Sequence, residues 1–304
     1  DNGYEFFTSA SIGITMYPAD GEDPNGLLRN ADSAMYKAKA AGRDTYCFFT
    51  PEMDKEMVKK LSMEAHLRHA MERKQLSLNY QSIVDTQSGE IVGAEALLRW
   101  HCEEYGSVSP DLFIPLAEES GLIVPFGDWV IETACEQAAA WEQMLGRPIH
   151  IAINVSYPQF RDGHLVETVC RVLEKTGLAP SSLELELTER LLMEDERGCA
   201  EALTALSAMG VKLSIDDFGT GYSALNYLKR FPVDTLKIDR SFVSDISSDT
   251  QSPALISAII KMAHALGIKV VGEGVEEQRQ LMFLETEGCD LVQGYYFSKP
   301  CSEE

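Results

Sequence analysis

Two adjacent carboxylates, Asp216 and Asp217, close a short apolar run in Lys212-Leu-Ser-Ile-Asp-Asp-Phe-Gly-Thr-Gly-Tyr-Ser223. Leu213 and Ile215 share one parity, two glycines follow the acids, and a helical pattern starts at Ser223. This is the pattern of a strand that delivers acids to its own C-terminal end beneath a pliable loop. Two like charges ~4 Å apart repel by roughly 4 kcal/mol at an effective dielectric of about 20, so such a pair calls for a cation or for full solvation. Other apolar runs carry polar groups in the same way. Glu95 and Arg99 share parity in Ile91–Trp100, and Asn154 ends Ile149-His-Ile-Ala-Ile-Asn. Glu186 sits on one face with Glu184 and Thr188, Lys237 lies in Leu236-Lys-Ile-Asp239, Glu273 ends Lys269-Val-Val-Gly-Glu, and Gln293 lies near the last run.

Burying unpaired polar groups costs several kcal/mol each. Carboxylates, an amide oxygen and one ammonium can share a site if hard divalent cations neutralise it. All-oxygen ligation suits Mg²⁺, Mn²⁺ or Ca²⁺ and not zinc. Two such cations roughly 3.5–4 Å apart form the usual clamp for in-line attack of water on a phosphodiester.

Strands and helices must alternate to bring these residues together. The patterns predict strands at Leu76–Val84, Ile91–Trp100, Ile149–Val155, Leu183–Thr188, Lys212–Asp217, Thr235–Asp239, Lys269–Gly272 and Leu291–Phe297. Helical patterns fall at Pro110–Ser120, Phe126–Leu145, Gly163–Thr176, Asp195–Met209, Ser223–Arg230, Pro253–Leu266 and Glu276–Glu287, four of them stopped by Gly177, Gly210, Gly267 and Gly288. Eight strands with helices between them predict an α/β fold, a modified TIM (β/α)8 barrel whose active site lies at the strand C-termini. The first two strands are joined only by Asp85-Thr-Gln-Ser-Gly89, too short for a helical crossover, so that pair should be antiparallel.

Upstream, a strand-like Thr8–Tyr17, a helix over Asp23–Gly42 and a strand at Tyr46–Phe49 make a small α+β fragment that cannot close a core unaided. Residues 51–75 read as an amphipathic connector helix, giving three segments: 1–50, 51–75 and 76–304. The net charge of −22 argues against polymeric nucleic acid as a partner. It leaves room for a small phosphate ligand, since cations invert the local field. Seven scattered cysteines without a CxxC pair fit reduced thiols and a cytoplasmic location. No run of about 18 apolar residues occurs. The sequence starts without Met, so any membrane contact would come from segments outside it.

Glu95-Ala-Leu-Leu-Arg-Trp100, Phe113–Leu122, Asn154-Val-Ser156, Glu186-Leu-Thr-Glu189, Asp216–Ser223, Lys237-Ile-Asp239, Glu273-Gly-Val-Glu276 and Gln293–Pro300 resemble the EAL domain, the cyclic-di-GMP phosphodiesterase family. The resemblance covers residues 76–300. It implies that Glu95, Asn154, Glu186 and Asp216 hold one metal, and that Asp216 and Asp217 hold a second, the ions being Mg²⁺ or Mn²⁺, two per active site. It implies that Lys237 holds the attacking water and that Glu273 is a general base or a ligand to metal-bound water. Glu189 would brace the Phe218–Ser223 loop. Gln81, Leu98, Arg99, Asp217 and Gln293 would face the substrate, Arg99 through its planar fork on a phosphate. The implied reaction is hydrolysis of cyclic-di-GMP to linear pGpG, with a homodimer formed near the Asp217–Ser223 loop. The alternative is a catalytically silent cyclic-di-GMP receptor. Ser82 and Ala224 depart from the family's usual residues without touching the chemistry. Ser11-Ile-Gly-Ile, Ala31–Lys39 and Gly42–Tyr46 resemble the end of a GGDEF domain, whose signature loop is absent, so no cyclase activity is carried over.

Overall fold

The computed structural model describes residues 9–42, 44–189, 198–219, 228, 230–247 and 252–303. The expected helix at Ser223–Arg230, the loop beyond Gly219 and Ala224 thus fall wholly or largely outside the described residues. The chain divides into two compact units, Asp1–His69 and Ala70–Glu304.

In the first unit, β1 (Ile12–Ile14) and β2 (Tyr46–Phe48) pair in parallel, joined by helix α1 (Pro24–Ala40). The Asp23 carboxylate caps α1 by accepting from Asn25 N and Gly26 N at 3.0 Å, with Pro24 in the first turn where its missing N–H is harmless. Helix α2 (Pro51–Leu67) follows, tied to α1 by Lys37–Glu56 at 2.6 Å. It stops at Leu67, short of the expected residue 75.

The second unit is the barrel. Beyond its entry turn, Lys74 takes a left-handed φ of 55°, and Lys74 N and Gln75 N bond back to Met71 O and Ala70 O. That is a helix-ending turn without the usual glycine, so no residue type announces it.

Its strands are β3 (Leu76–Asp85), β4 (Ile91–Cys102), β5 (Gly106–Val108), β6 (His150–Asn154), β7 (Leu183–Thr188), β8 (Lys212–Phe218), β9 (Thr235–Ile238), β10 (Lys269–Gly272) and β11 (Leu291–Gln293). Hydrogen bonding runs β3-β11-β10-β9-β8-β7-β6-β4 and closes through β3–β4. β3 is antiparallel to both β4 and β11, and the remaining barrel pairs are parallel. The Asp85 carboxylate builds the reversal, accepting from Gln87 N at 3.1 Å and Ser88 N at 2.8 Å. The short β5, which hairpins back onto the end of β4, was not predicted from the sequence. β11 stops at Gln293 and not Phe297, because Tyr296 N bonds to Val275 O and Phe297 N to Gly294 O, turning the chain away from the sheet.

Among the described residues the α-helices are α3 (Pro110–Glu119), α4 (Ile123–Leu145), α5 (Tyr157–Asp162), α6 (Leu165–Thr176), α7 (Gly198–Ala208), α8 (Arg240–Ser244), α9 (Ser252–Ala265) and α10 (Gln278–Glu287). Strand parity sorts the side chains. Leu183, Leu185 and Leu187 join the apolar core with Val169 and Val172 of α6 and Leu203 of α7. The alternate positions are left for polar groups.

Gly294 marks a close backbone approach at the end of β11. A Cβ there would lie 2.1 Å from Val275 O and 2.3 Å from Val275 N, both rigid backbone. Gly294→Ala is expected to destabilise the barrel by about 3 kcal/mol, read as a lower urea midpoint at unchanged slope.

Candidate active site

Strand register places the polar residues at one end of the barrel. Gln81 pairs with Glu95, Asn154 with Glu186, Thr188 with Asp216, and Val271 with Lys237. Lys237 lies at the centre, 1% exposed. Its Nζ is 2.7 Å from Glu273 Oε1, 2.8 Å from Glu186 Oε2, 3.5 Å from Glu95 Oε2 and 3.6 Å from Asp216 Oδ1. Amides hold the carboxylates from behind. Asn154 Nδ2 donates to Glu95 Oε1 at 2.6 Å, and Gln293 Nε2 donates to Glu95 Oε2 at 2.7 Å and to Gln81 Oε1 at 3.0 Å. Gln81 in turn donates to Ser298 O at 3.1 Å.

One ammonium faces four carboxylates, and the titration of the cluster records the imbalance. Burial alone would depress Lys237, but the surrounding anions reverse this and raise it well above its ordinary value. Burial pushes Glu186 well up, and the Glu95 charge adds to it. Glu95 goes the other way. Burial would raise it, but the Lys237 ammonium and the Gln293 and Asn154 amides hold it below the usual carboxylate range. Glu273 is pushed up to about 8 by burial and by the Asp216 and Glu95 charges, against the pull of Lys237. Asp217 rises to about 6, through burial first and then the charges of Asp216 and Asp239. Carboxyls that cannot all ionise around one lysine mark a deficit of positive charge.

A divalent cation fits this donor set. Oxygens of Asp216, Asp217 and Glu273 lie within 4.8 Å of one another. Gln293 Oε1 is buried and has no partner among the described residues. Asp217 adopts a left-handed φ of 54° and donates its N–H to Asp216 Oδ1 at 2.9 Å, so the two neighbouring carboxylates share one corner of the cluster. The register shift on β8 between Ile215 and Phe218 falls across this pair.

The remaining expected residues lie farther out. Arg99 is half-buried, donates to Leu98 O at 3.0 Å, and lines with Leu98 a cavity of about 1020 Å³ that also reaches Asn154, Asp216 and Asp217. Glu189 is 5% exposed and lines the same cavity outside the carboxylate cluster. The loop it was expected to brace lies, beyond Gly219, outside the described residues. Two features were not assigned from sequence. Asp239, two residues past Lys237, adds its charge beside Asp217, and strand parity was the available signal. Ile114 of α3, with Ile123 and Val130 of α4, supplies an apolar wall of the cavity.

Fold and site together define a class: an α/β barrel with a carboxylate-rich, oxygen-donor centre at the strand ends. A family model for the EAL domain matches residues 64–300, and the chain belongs to that family. A model described as diguanylate cyclase, GGDEF domain, matches residues 1–45. The chain is 45% identical over 301 residues to the bifunctional diguanylate cyclase/cyclic di-GMP phosphodiesterase MucR of Pseudomonas aeruginosa, covering 99% of this chain and 44% of that protein. It is 40% identical over 296 residues to the cyclic di-GMP phosphodiesterase PdeR of Escherichia coli, covering 97% and 44%. The chain therefore spans less than half the length of these curated relatives. The solved PaMucR phosphodiesterase in its c-di-GMP complex is 44% identical with a TM-score of 0.76, covering 79% of this chain and 98% of that one. The EAL domain of Mycobacterium smegmatis DcpA is 38% identical with a TM-score of 0.64, covering 76% and 93%.

The raised carboxyls give the cation-free protein a pH-dependent stability. Glu273 and Asp217 bind protons in the folded state up to about 8 and about 6, against ordinary values of 4.5 and 3.8. Their contribution is complete at acid pH and is lost as pH rises through those folded values. The melting temperature in EDTA is expected to fall between about pH 4 and about pH 8, and Mg²⁺ to restore it most at the alkaline end. A flat profile unaffected by Mg²⁺ would contradict this charge balance.

Proposed function

We propose that the chain hydrolyses cyclic-di-GMP to linear pGpG with Mg²⁺ or Mn²⁺, two ions per site. The observation that carries this reading is the oxygen-donor cluster around Lys237, opening into a cavity large enough for a dinucleotide. Its likeness to relatives named as phosphodiesterases of that compound adds support.

In this reading Glu95, Asn154, Glu186 and Asp216 hold one ion, and Asp216 and Asp217 the other. Bound divalent ions would lower the pKa of water and screen the charge that develops on the phosphate oxygens. The protein's own groups then have separable tasks. Arg99 reaches the phosphate with its fork, and Leu98 packs beside it. Lys237, kept protonated by its carboxylate neighbours, donates to the attacking water and fixes its line of approach. Glu273, 2.7 Å from the Lys237 ammonium, takes the water's proton. The water oxygen bonds to phosphorus, the bond from phosphorus to the 3′ oxygen breaks, and that oxygen leaves and is protonated. Glu189 supports the rim, while Gln293, held by Gln81, orients Glu95, and both amides face the substrate. The seven scattered cysteines, none in a CxxC pair, fit reduced thiols, and we place the reaction in the cytoplasm.

Incubation with cyclic-di-GMP and Mg²⁺ is expected to release pGpG, and EDTA to stop it. Losing a group that merely supports a metal ligand costs about 10–100-fold. Glu95→Ala and Asp216→Asn remove direct oxygen donors and are expected to lose more than that, with wild-type turnover in either refuting the assignment. The chain is also expected to dimerise near Asp217–Ser223. Light scattering that finds a fully active monomer would remove this expectation.

A further inference from the structure

The cavity wall holds a side chain to which the mechanism above gives no task. Gln159, on α5, is 5% exposed and lines the cavity. Its Oε1 accepts from Ser156 N at 3.0 Å and from Ser156 Oγ at 3.1 Å. A backbone N–H can only donate, so the atom facing it is the amide oxygen, and the orientation of the amide is fixed. The amide lies against Gly127 of α4, where a Cβ would come within 2.0 Å of Gln159 Nε2 and 2.5 Å of its Cδ. A glycine inside a helix costs about 1 kcal/mol relative to alanine. Here it makes room for this amide. Among the described residues nothing accepts a hydrogen bond from Nε2. Gln159 is therefore a locked donor, with its acceptor already used, beside the apolar wall of Ile123 and Val130.

We propose that Gln159 selects the nucleobase, donating from Nε2 to an acceptor edge of a purine packed on that wall. This inference rests on the proposed function. A free glutamine favours adenine, pairing its oxygen with N6–H₂ and its nitrogen with N7. With Oε1 engaged by Ser156, only the donor is left. Guanine offers acceptors at O6 and N7, whereas adenine puts a second donor at N6. The arrangement therefore favours guanine and disfavours adenine.

The test measures binding of the hydrolysis-resistant phosphorothioate forms of cyclic-di-GMP and cyclic-di-AMP in Mg²⁺ by calorimetry. Gln159→Glu keeps an oxygen for Ser156 and puts a second oxygen where the donor was. The preference for the guanine compound is expected to fall about tenfold or more. Gly127→Ala, which leaves Ser156 and Gln159 in the sequence but crowds the amide, is expected to lower the same ratio. An unchanged ratio in both variants, or an equal loss of affinity for both dinucleotides, would overturn the inference. If wild type still released pGpG from cyclic-di-GMP, the proposed function would survive that outcome. Binding of neither dinucleotide by wild type would remove both.

Discussion

The barrel's chemistry rests on one buried ammonium. Lys237 is enclosed almost completely and lies within 3.6 Å of four carboxylates on β4, β7 and β8 and at the end of β10. Isolated, such a charge would cost several kcal/mol to bury. Surrounded by acids it is held more strongly protonated than in water, yet a single positive charge cannot balance all of them. The cluster therefore settles into a compromise in which Glu95 stays ionised while Glu186 and Glu273 bind protons at higher pH than usual. A set of oxygens in that state is stabilised by added positive charge, the electrostatic basis for reading it as a cation site.

Keeping those acids close requires a rigid frame, and the barrel supplies it through strand parity. Leucine, isoleucine and valine on one parity lock each strand against the helices, so that the opposite parity has a fixed direction. The amides of Asn154 and Gln293, the latter also held by Gln81, then remove the remaining freedom of Glu95. These three come from β3, β6 and β11, so the orientation of one carboxylate depends on strands distant in sequence.

Much of this is legible in the sequence. Polar residues in strongly apolar runs identified Glu95, Asn154, Glu186, Asp216, Lys237 and Glu273, because an uncompensated polar group is too costly to occur there by chance on several strands. The five-residue link at Asp85–Gly89 fixed the reversed pairing, since its length admits nothing else. Less legible features depended on backbone geometry with no residue signature. The end of α2 and the turn closed by a left-handed Lys74 lack a glycine, and β11 is cut short by hydrogen bonds from Tyr296 and Phe297. Gln159 was hidden for another reason. It follows Ser156 by three residues, as a capping partner does, and that role accounts for only half of its amide. The other half acquires meaning only once Gly127, far away in sequence, is seen beneath it.

The reversed direction of β3 reaches beyond strand pairing. In a barrel whose strands all run parallel, the chain enters at the base, away from the chemistry. Here Leu76 pairs with Trp100 and Gln81 with Glu95, so the polypeptide enters along the rim where the acids gather and runs down toward the base. The doorway of the domain and its working face are thus the same edge.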